Sequence, residues 1–147
     1  MPFLTIPMGA DGPIVEIGVT VSLPRQTAMT TQGIPAPPPQ LVRALIDTGA
    51  SCTCIDNGVI IQLGLQPTGT AQMVTPSTGS IPTTVNQYDL AIYLFMDNQH
   101  VHQMAMTIPV IGADFSSQTI DALIGRDLLS EGGFFYNGTT NTLTIAF

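Results

Sequence analysis

The chain has 147 residues, 44% hydrophobic and only 9% charged, which is enough apolar material for a core and too little charge for a disordered segment. Three basic residues, Arg25, Arg43 and Arg126, stand against ten acidic ones for a net charge of −7, so no basic face is expected to neutralise phosphates and nucleic acid is not an expected partner. No apolar run approaches the roughly 20 residues of a membrane span, and Met1 to Ala10 lacks the basic and continuously apolar stretches of a secretory leader; the expectation is one soluble, cytoplasmic domain over residues 1–147, without a membrane partner.

The clearest strand comes first. Val15, Ile17, Val19, Val21 and Leu23 alternate with Glu16, Gly18, Thr20 and Ser22, which places one apolar face on a core. Gln32 to Gln40 carries Pro35, Pro37, Pro38 and Pro39, cannot supply ladder donors, and reads as an exposed polyproline-like connector within the domain. Leu41 to Ile46 is a second strand ending at Asp47-Thr48-Gly49, a tight polar turn, and Cys52 to Ile55 is a further short strand. Asp56 is placed to cap a short helix through Val59, Ile60 and Leu63, with Gly64 to end it.

Gly69 to Asn86 is rich in Thr, Ser, Gly and Pro, and its centre, Thr75-Pro76-Ser77-Thr78-Gly79-Ser80, is flanked by Met73, Val74 and Ile81. That pattern predicts a protruding hairpin over about residues 69–88. Tyr88, Leu90, Ile92, Leu94 and Met96 alternate, Asp97-Asn98 offers a turn, and His102, Met104, Met106 and Ile108 continue the period as a second hairpin. Ile120 to Ile124 precedes Gly125, after which Arg126 to Ser130 can form a helical turn ended near Gly132-Gly133. Phe134 to Tyr136, the turn Asn137-Gly138 and the alternating Leu143, Ile145 and Phe147 make a terminal hairpin. Asn137-Gly138-Thr139 would accept a glycan only in a secreted protein.

Cys52 and Cys54 are the only cysteines. As i and i+2 neighbours on an extended chain they cannot close an unstrained disulfide, which fits a reducing compartment. With His100 and His102 they are too few to make a metal site obvious, so neither metal nor cofactor is expected. They read as small buried thiols, and the histidines as half-exposed strand residues. The seven methionines read as core or flexible pocket lining.

A carboxylate at the end of a buried strand is costly to ionise without donors or a partner, so Asp47 stands out. Leu45-Ile46-Asp47-Thr48-Gly49-Ala50-Ser51 resembles the active-site motif of aspartic proteases. Ala122-Leu123-Ile124-Gly125-Arg126-Asp127-Leu128-Leu129 resembles the second signature of the retroviral-type, or retropepsin-like, members. Their order, with a hairpin between them, is similar to that layout from about Val15 to Phe147. The resemblance implies an all-β retropepsin-like acid-protease fold, one lobe per chain with one or two short helices.

It also implies an aspartic endopeptidase that activates a water, with peptide or protein as substrate and no covalent intermediate. Such chemistry needs two carboxylates sharing one proton. The chain contains a single Asp-Thr-Gly, so a homodimer would supply one Asp47 from each subunit. Thr48 would bond across the dimer axis and Gly49 would meet substrate backbone. Leu123, Ile124 and Gly125 would pack beneath the loop that also holds Ala50, and Arg126 would open the bracing helix. Val74, Thr75, Pro76, Ser77, Thr78, Gly79 and Ser80 would form a flap over the substrate.

Three departures from retroviral enzymes are visible. Ser51 replaces an acidic partner of the arginine, leaving Asp56 or Asp121 as substitutes. The Pro-rich connector is long and could wall one end of the cleft. The residues after Leu129 form a hairpin more similar to retropepsin-like domains of cellular ubiquitin-shuttle proteins and of bacterial aspartyl proteases. A catalytically silent peptide-binding or dimerisation module on the same fold is the alternative, and a β-rich self-assembling structural protein a more distant one. The intact Asp47-Thr48-Gly49 favours an enzyme over both.

Overall fold

A computed structural model of the chain describes residues 2–97, 99 and 103–147. In chain order the elements are β1 (Phe3–Pro7), β2 (Ile14–Val21), α1 (Leu23–Thr31), β3 (Gln40–Ile46), β4 (Cys54–Asp56), α2 (Asn57–Gln62) and β5 (Gly69–Met73). They continue with β6 (Thr83–Phe95), β7 (Gln103–Ala113), β8 (Ala122–Ile124), α3 (Arg126–Leu129), β9 (Gly133–Asn137) and β10 (Thr142–Ala146). The expected all-β class holds, with three short helices among the described residues instead of one or two. Asn98, His100 and His102, expected in and beside the second hairpin's turn, lie outside the described residues.

Seven strands form one sheet in the order β2-β3-β8-β4-β7-β6-β5, and an added pairing of β2 with β6 closes it into a barrel. Alternation supplies the interior. Val15, Ile17, Val19 and Val21 of β2 meet Leu90, Ile92 and Leu94 of β6, Val42 and Ala44 of β3 and Ile124 of β8, all buried in one cluster. Fully burying each large aliphatic side chain contributes roughly 1.5–3 kcal/mol. The opposite face of β2 is covered as well: Thr20 is 1% exposed, and its hydroxyl donates to the Pro37 carbonyl at 2.9 Å. The Pro-rich segment therefore packs along the outside of β2.

A second sheet, β1-β10-β9, joins both ends of the chain. Leu4, Ile145 and Phe134 lie opposite one another across it, and all three pack on the barrel core. β1 is not anticipated in the sequence reading, although Leu4, Ile6 and Met8 alternate. The terminal hairpin is present, but its loop runs from Gly138 to Asn141 instead of turning tightly at Asn137-Gly138. The physical reason is local: the Asn137 side chain accepts from the amides of Thr139 and Thr140 at 3.0 and 3.1 Å, and Asn141 takes the left-handed position, φ 53°. Phe147 falls just beyond β10.

Leu23 ends the predicted strand in the sequence reading, yet it opens α1. Ser22 is the N-cap and a proline follows in the first turn, a start signal in its own right. Three helix threonines bond back to carbonyls four residues earlier. Only Met29 of this helix packs on the core, so no apolar period announces it.

The strand order around β8 places the site. β8 pairs parallel to β3, with Ile46 opposite Ile124, and antiparallel to β4, with Cys54 opposite Leu123. Because β8 lies between β3 and β4, residues 47–53 must bridge two strand spacings, about 9–10 Å. That bridging loop carries Asp-Thr-Gly, and α3 begins beside it.

Candidate active site

Asp47 leaves β3 with its amide donating to the Ile124 carbonyl at 3.0 Å. Its carboxylate curls back: Oδ1 accepts from the Gly49 amide at 2.8 Å, and the Ala50 amide donates to the Asp47 carbonyl at 3.2 Å. The Gly49 amide thus orients the carboxylate, while the Ala50 bond closes the turn in the main chain. Asp47 is half-buried.

The hairpin meets this loop. Pairing of β5 with β6 runs from Gly69 opposite Gln87 to Met73 opposite Thr83, within the expected span of 69–88. Its tip is organised by Thr75 and Thr78, with the Thr75 amide donating to Thr78 Oγ1 at 2.8 Å and the Thr78 amide to the Thr75 carbonyl at 3.0 Å. Gly79 has φ 62°, the left-handed conformation that favours glycine. Between loop and hairpin lies a cleft of about 420 Å³ lined by Asp47, Gly49, Ala50, Val74, Thr75 and Pro76, among others.

Several expected site residues therefore share one cavity, and others do not line it. Leu123 faces the cleft, whereas Ile124 is 2% exposed and packs in the barrel core. Thr48, Gly125, Arg126, Ser77, Thr78, Gly79 and Ser80 are absent from the lining. No residue of the Pro-rich segment lines it either, contrary to the expected wall, because that segment is held on β2. Met73 lines it, in keeping with the reading of the methionines as core or flexible pocket lining, and so do Ser51, Cys52 and Cys54, which sequence reasoning missed as wall residues. Their signal was proximity in sequence to Asp47.

The arginine has a main-chain partner. Arg126 Nη1 donates to the Thr48 carbonyl at 3.1 Å, and its amide donates to the Ala50 carbonyl at 2.9 Å. Neither expected acid takes that place. Asp56 caps α2 through Gly58 and accepts from the Phe115 amide, while Asp121 accepts from the Arg43 amide. Asp127, which the second motif carries without a role, and Thr53, which sequence reasoning did not single out, bond to each other beneath the loop.

Cys54 is buried and Cys52 half-buried, both free. Burial first, and then the neighbouring Cys52 thiol, push the Cys54 thiol up to about 12. It stays protonated at neutral pH and is no thiolate nucleophile. Among the described residues no group of three or more His, Cys, Asp or Glu side chains could hold a metal ion. Among the described residues that line the cleft, Asp47 is the one carboxylate.

Residues 38–128 match the profile of a family described as aspartyl protease. No curated protein sequence matches the chain. Among solved structures it is similar to a retropepsin-like aspartic protease from Rickettsia conorii, with a TM-score of 0.57 and 16% identity over 99% of this chain and 90% of that one. It is also similar to the retroviral protease-like domain of Ddi1 from Leishmania major, at TM-score 0.43 and 17% identity over 90% and 88% of the two chains. A third similar structure is EIAV protease complexed with the inhibitor HBY-793, at TM-score 0.42 and 12% identity over 86% and 93%. The Rickettsia likeness spans nearly the whole chain, and the fold is that of retropepsin-like proteins.

Proposed function

Since the chain belongs to the aspartyl protease family, we propose that it is an aspartic endopeptidase whose site is completed by a second copy of itself, each subunit giving Asp47. The observation that carries this reading is the shared cleft, in which Asp47 and Gly49 face the hairpin residues Val74, Thr75 and Pro76. One chain offers one such carboxylate, and water-mediated peptide hydrolysis needs two. One accepts a proton from water as the water oxygen bonds to the peptide carbon, and the other donates a proton to the carbonyl oxygen. Collapse of the tetrahedral species breaks the C–N bond, and the leaving nitrogen takes up a proton. No covalent enzyme intermediate, metal or cofactor enters.

The other assignments are part of the same reading. Thr48 bonds across the twofold axis, and Gly49 contacts the substrate backbone. Residues 74–80 act as a flap that closes over an extended peptide, excludes water and adds main-chain hydrogen bonds. Leu123, Ile124, Gly125 and Arg126 support the loop. The free thiols fit a reducing compartment such as the cytoplasm, and no described helix is long and apolar enough to cross a membrane.

The test is digestion of a peptide pool from about pH 3 to pH 8, read by mass spectrometry, with Asp47→Asn alongside. Wild type is expected to cut with a bell-shaped rate on pH and an acidic to mildly acidic optimum, since activity requires one proton on the pair. The asparagine variant is expected to fold and not cut, because an amide cannot deprotonate water. Equal cleavage by both proteins would remove Asp47 from the chemistry. No cleavage by an intact wild-type dimer would make the chain a peptide-binding module.

A further inference from the structure

Four consecutive residues hold the catalytic loop at successive points. The Ile124 carbonyl accepts from the Asp47 amide at 3.0 Å, and the Arg126 amide donates to the Ala50 carbonyl at 2.9 Å. Gly125 donates its amide to Thr53 Oγ1 at 3.2 Å. Asp127 closes the far end, its Oδ2 accepting from the Thr53 amide and its Oδ1 from the Thr53 hydroxyl, each at 2.8 Å. The first two links join main chain to main chain and would survive most substitutions. The last two depend on side chains.

We propose that Asp127 and Thr53 are positioning residues for Asp47, locking the end of the loop to the β8–α3 junction from which Asp47 hangs. The hydrogen inventory explains the pairing. Thr53 is 0% exposed, and its hydroxyl owns one proton. Giving that proton to Asp127 Oδ1 leaves a lone pair turned to the Gly125 amide. Asp127 Oδ1 is itself fixed by the Leu128 amide at 2.8 Å, so the carboxylate cannot swing away without stranding several donors. Only an ionised carboxylate offers acceptors on both oxygens. An asparagine would place an NH2 group against either the Thr53 amide or the Thr53 hydroxyl proton, and one buried donor would go without a partner.

Asp127 and Thr53 do not line the cleft, so they act through the loop and not on substrate. The inference rests on the protease reading, and its test separates the two. Steady-state peptide cleavage is measured for Asp127→Asn, Thr53→Val and Thr53→Ser well below each unfolding midpoint, with the Asp47 carboxyl followed by carbon-13 NMR across pH. Misplacement of the attacking geometry should lower kcat about tenfold to a hundredfold in the first two variants. KM should change by less than about threefold, since the cleft wall is untouched. Thr53→Ser keeps the hydroxyl and should retain wild-type kcat.

The Asp47 titration should move in Asp127→Asn and Thr53→Val and stay put in Thr53→Ser. Variants that lose only thermal stability, with kcat and the Asp47 titration unchanged, would overturn the inference. If wild type cuts nothing, the protease reading fails and the NMR titration alone decides the positioning role. Should Thr53→Val fail to fold, Asp127→Asn against Thr53→Ser carries the same comparison.

Discussion

Gly125 sits where the Asp-Thr-Gly loop and the β8–α3 junction touch. Its backbone is extended, φ −89° and ψ −179°, a conformation open to any residue, so space and not conformation demands glycine. A Cβ there would lie 2.5 Å from the Cys52 carbonyl carbon and 2.6 Å from its oxygen, and backbone cannot yield as a side chain can. Gly125→Ala is expected to cost about 1–3 kcal/mol by overpacking and to depress peptide cleavage through displacement of the loop. Gly69, where an added Cβ would meet nothing within 4 Å, is the control: Gly69→Ala should stay within about 0.5 kcal/mol in urea unfolding. Cys54 gives a pH-dependent prediction. Its thiol is raised from 9.0 to about 12 by burial and by Cys52, so the unfolded chain ionises first as pH rises. The contribution is fully present below about 9 and is lost as pH climbs toward about 12, since the unfolded state then binds fewer protons. Urea unfolding from about pH 8 to pH 11 should show a downward slope that Cys54→Ala reduces. At this scale motifs mark Asp47, Gly49, Gly125 and Asp127. The pairing of Asp127 with Thr53 was not legible, since it depends on a contact between distant chain segments.

Among the elements, the strands with strict alternation were the readable ones. β2, β6 and the terminal hairpin each turn their large aliphatic side chains to one face, and a period of two records that directly. α1 was unreadable by period because it carries three threonines bonded to its own backbone and a single residue on the core. The insertion of β8 between β3 and β4 also left no local trace, since parallel pairing is set by the whole barrel and not by a turn. The Pro-rich segment read correctly as a connector, but the groups it covers, Thr20 among them, lie on a different strand. β10 makes a testable claim about stability. It is the central strand of the smaller sheet, and Leu143 on it is 0% exposed within the barrel's core cluster. Leu143→Ala should cost about 2–5 kcal/mol by lost burial and a residual cavity, measured by urea denaturation. A loss under about 1 kcal/mol would mean that the β1-β10-β9 sheet is not an integral part of the core.

For the molecule as a whole, the fold was legible in the sequence, and the dimer is a proposal drawn from the chemistry. A barrel with a smaller sheet built from both chain ends presents its single Asp-Thr-Gly loop beside the β5–β6 hairpin, with a cleft between them. The proposed reaction asks for twice that. Specific activity should therefore fall on dilution below the dimer dissociation constant, and the loss should reverse on concentration. A demonstrated monomer with concentration-independent activity would contradict the paired site. The most direct measurement mixes wild type with Asp47→Asn at equal amounts, lets subunits exchange, and reads peptide cleavage per wild-type chain. If each site needs an intact Asp47 from both subunits, only wild-type homodimers cut. Random pairing then leaves about half the activity per wild-type chain, and about a tenth when the variant is in roughly ninefold excess. Activity per wild-type chain that does not change with added variant, while subunit exchange is demonstrated, would contradict the account.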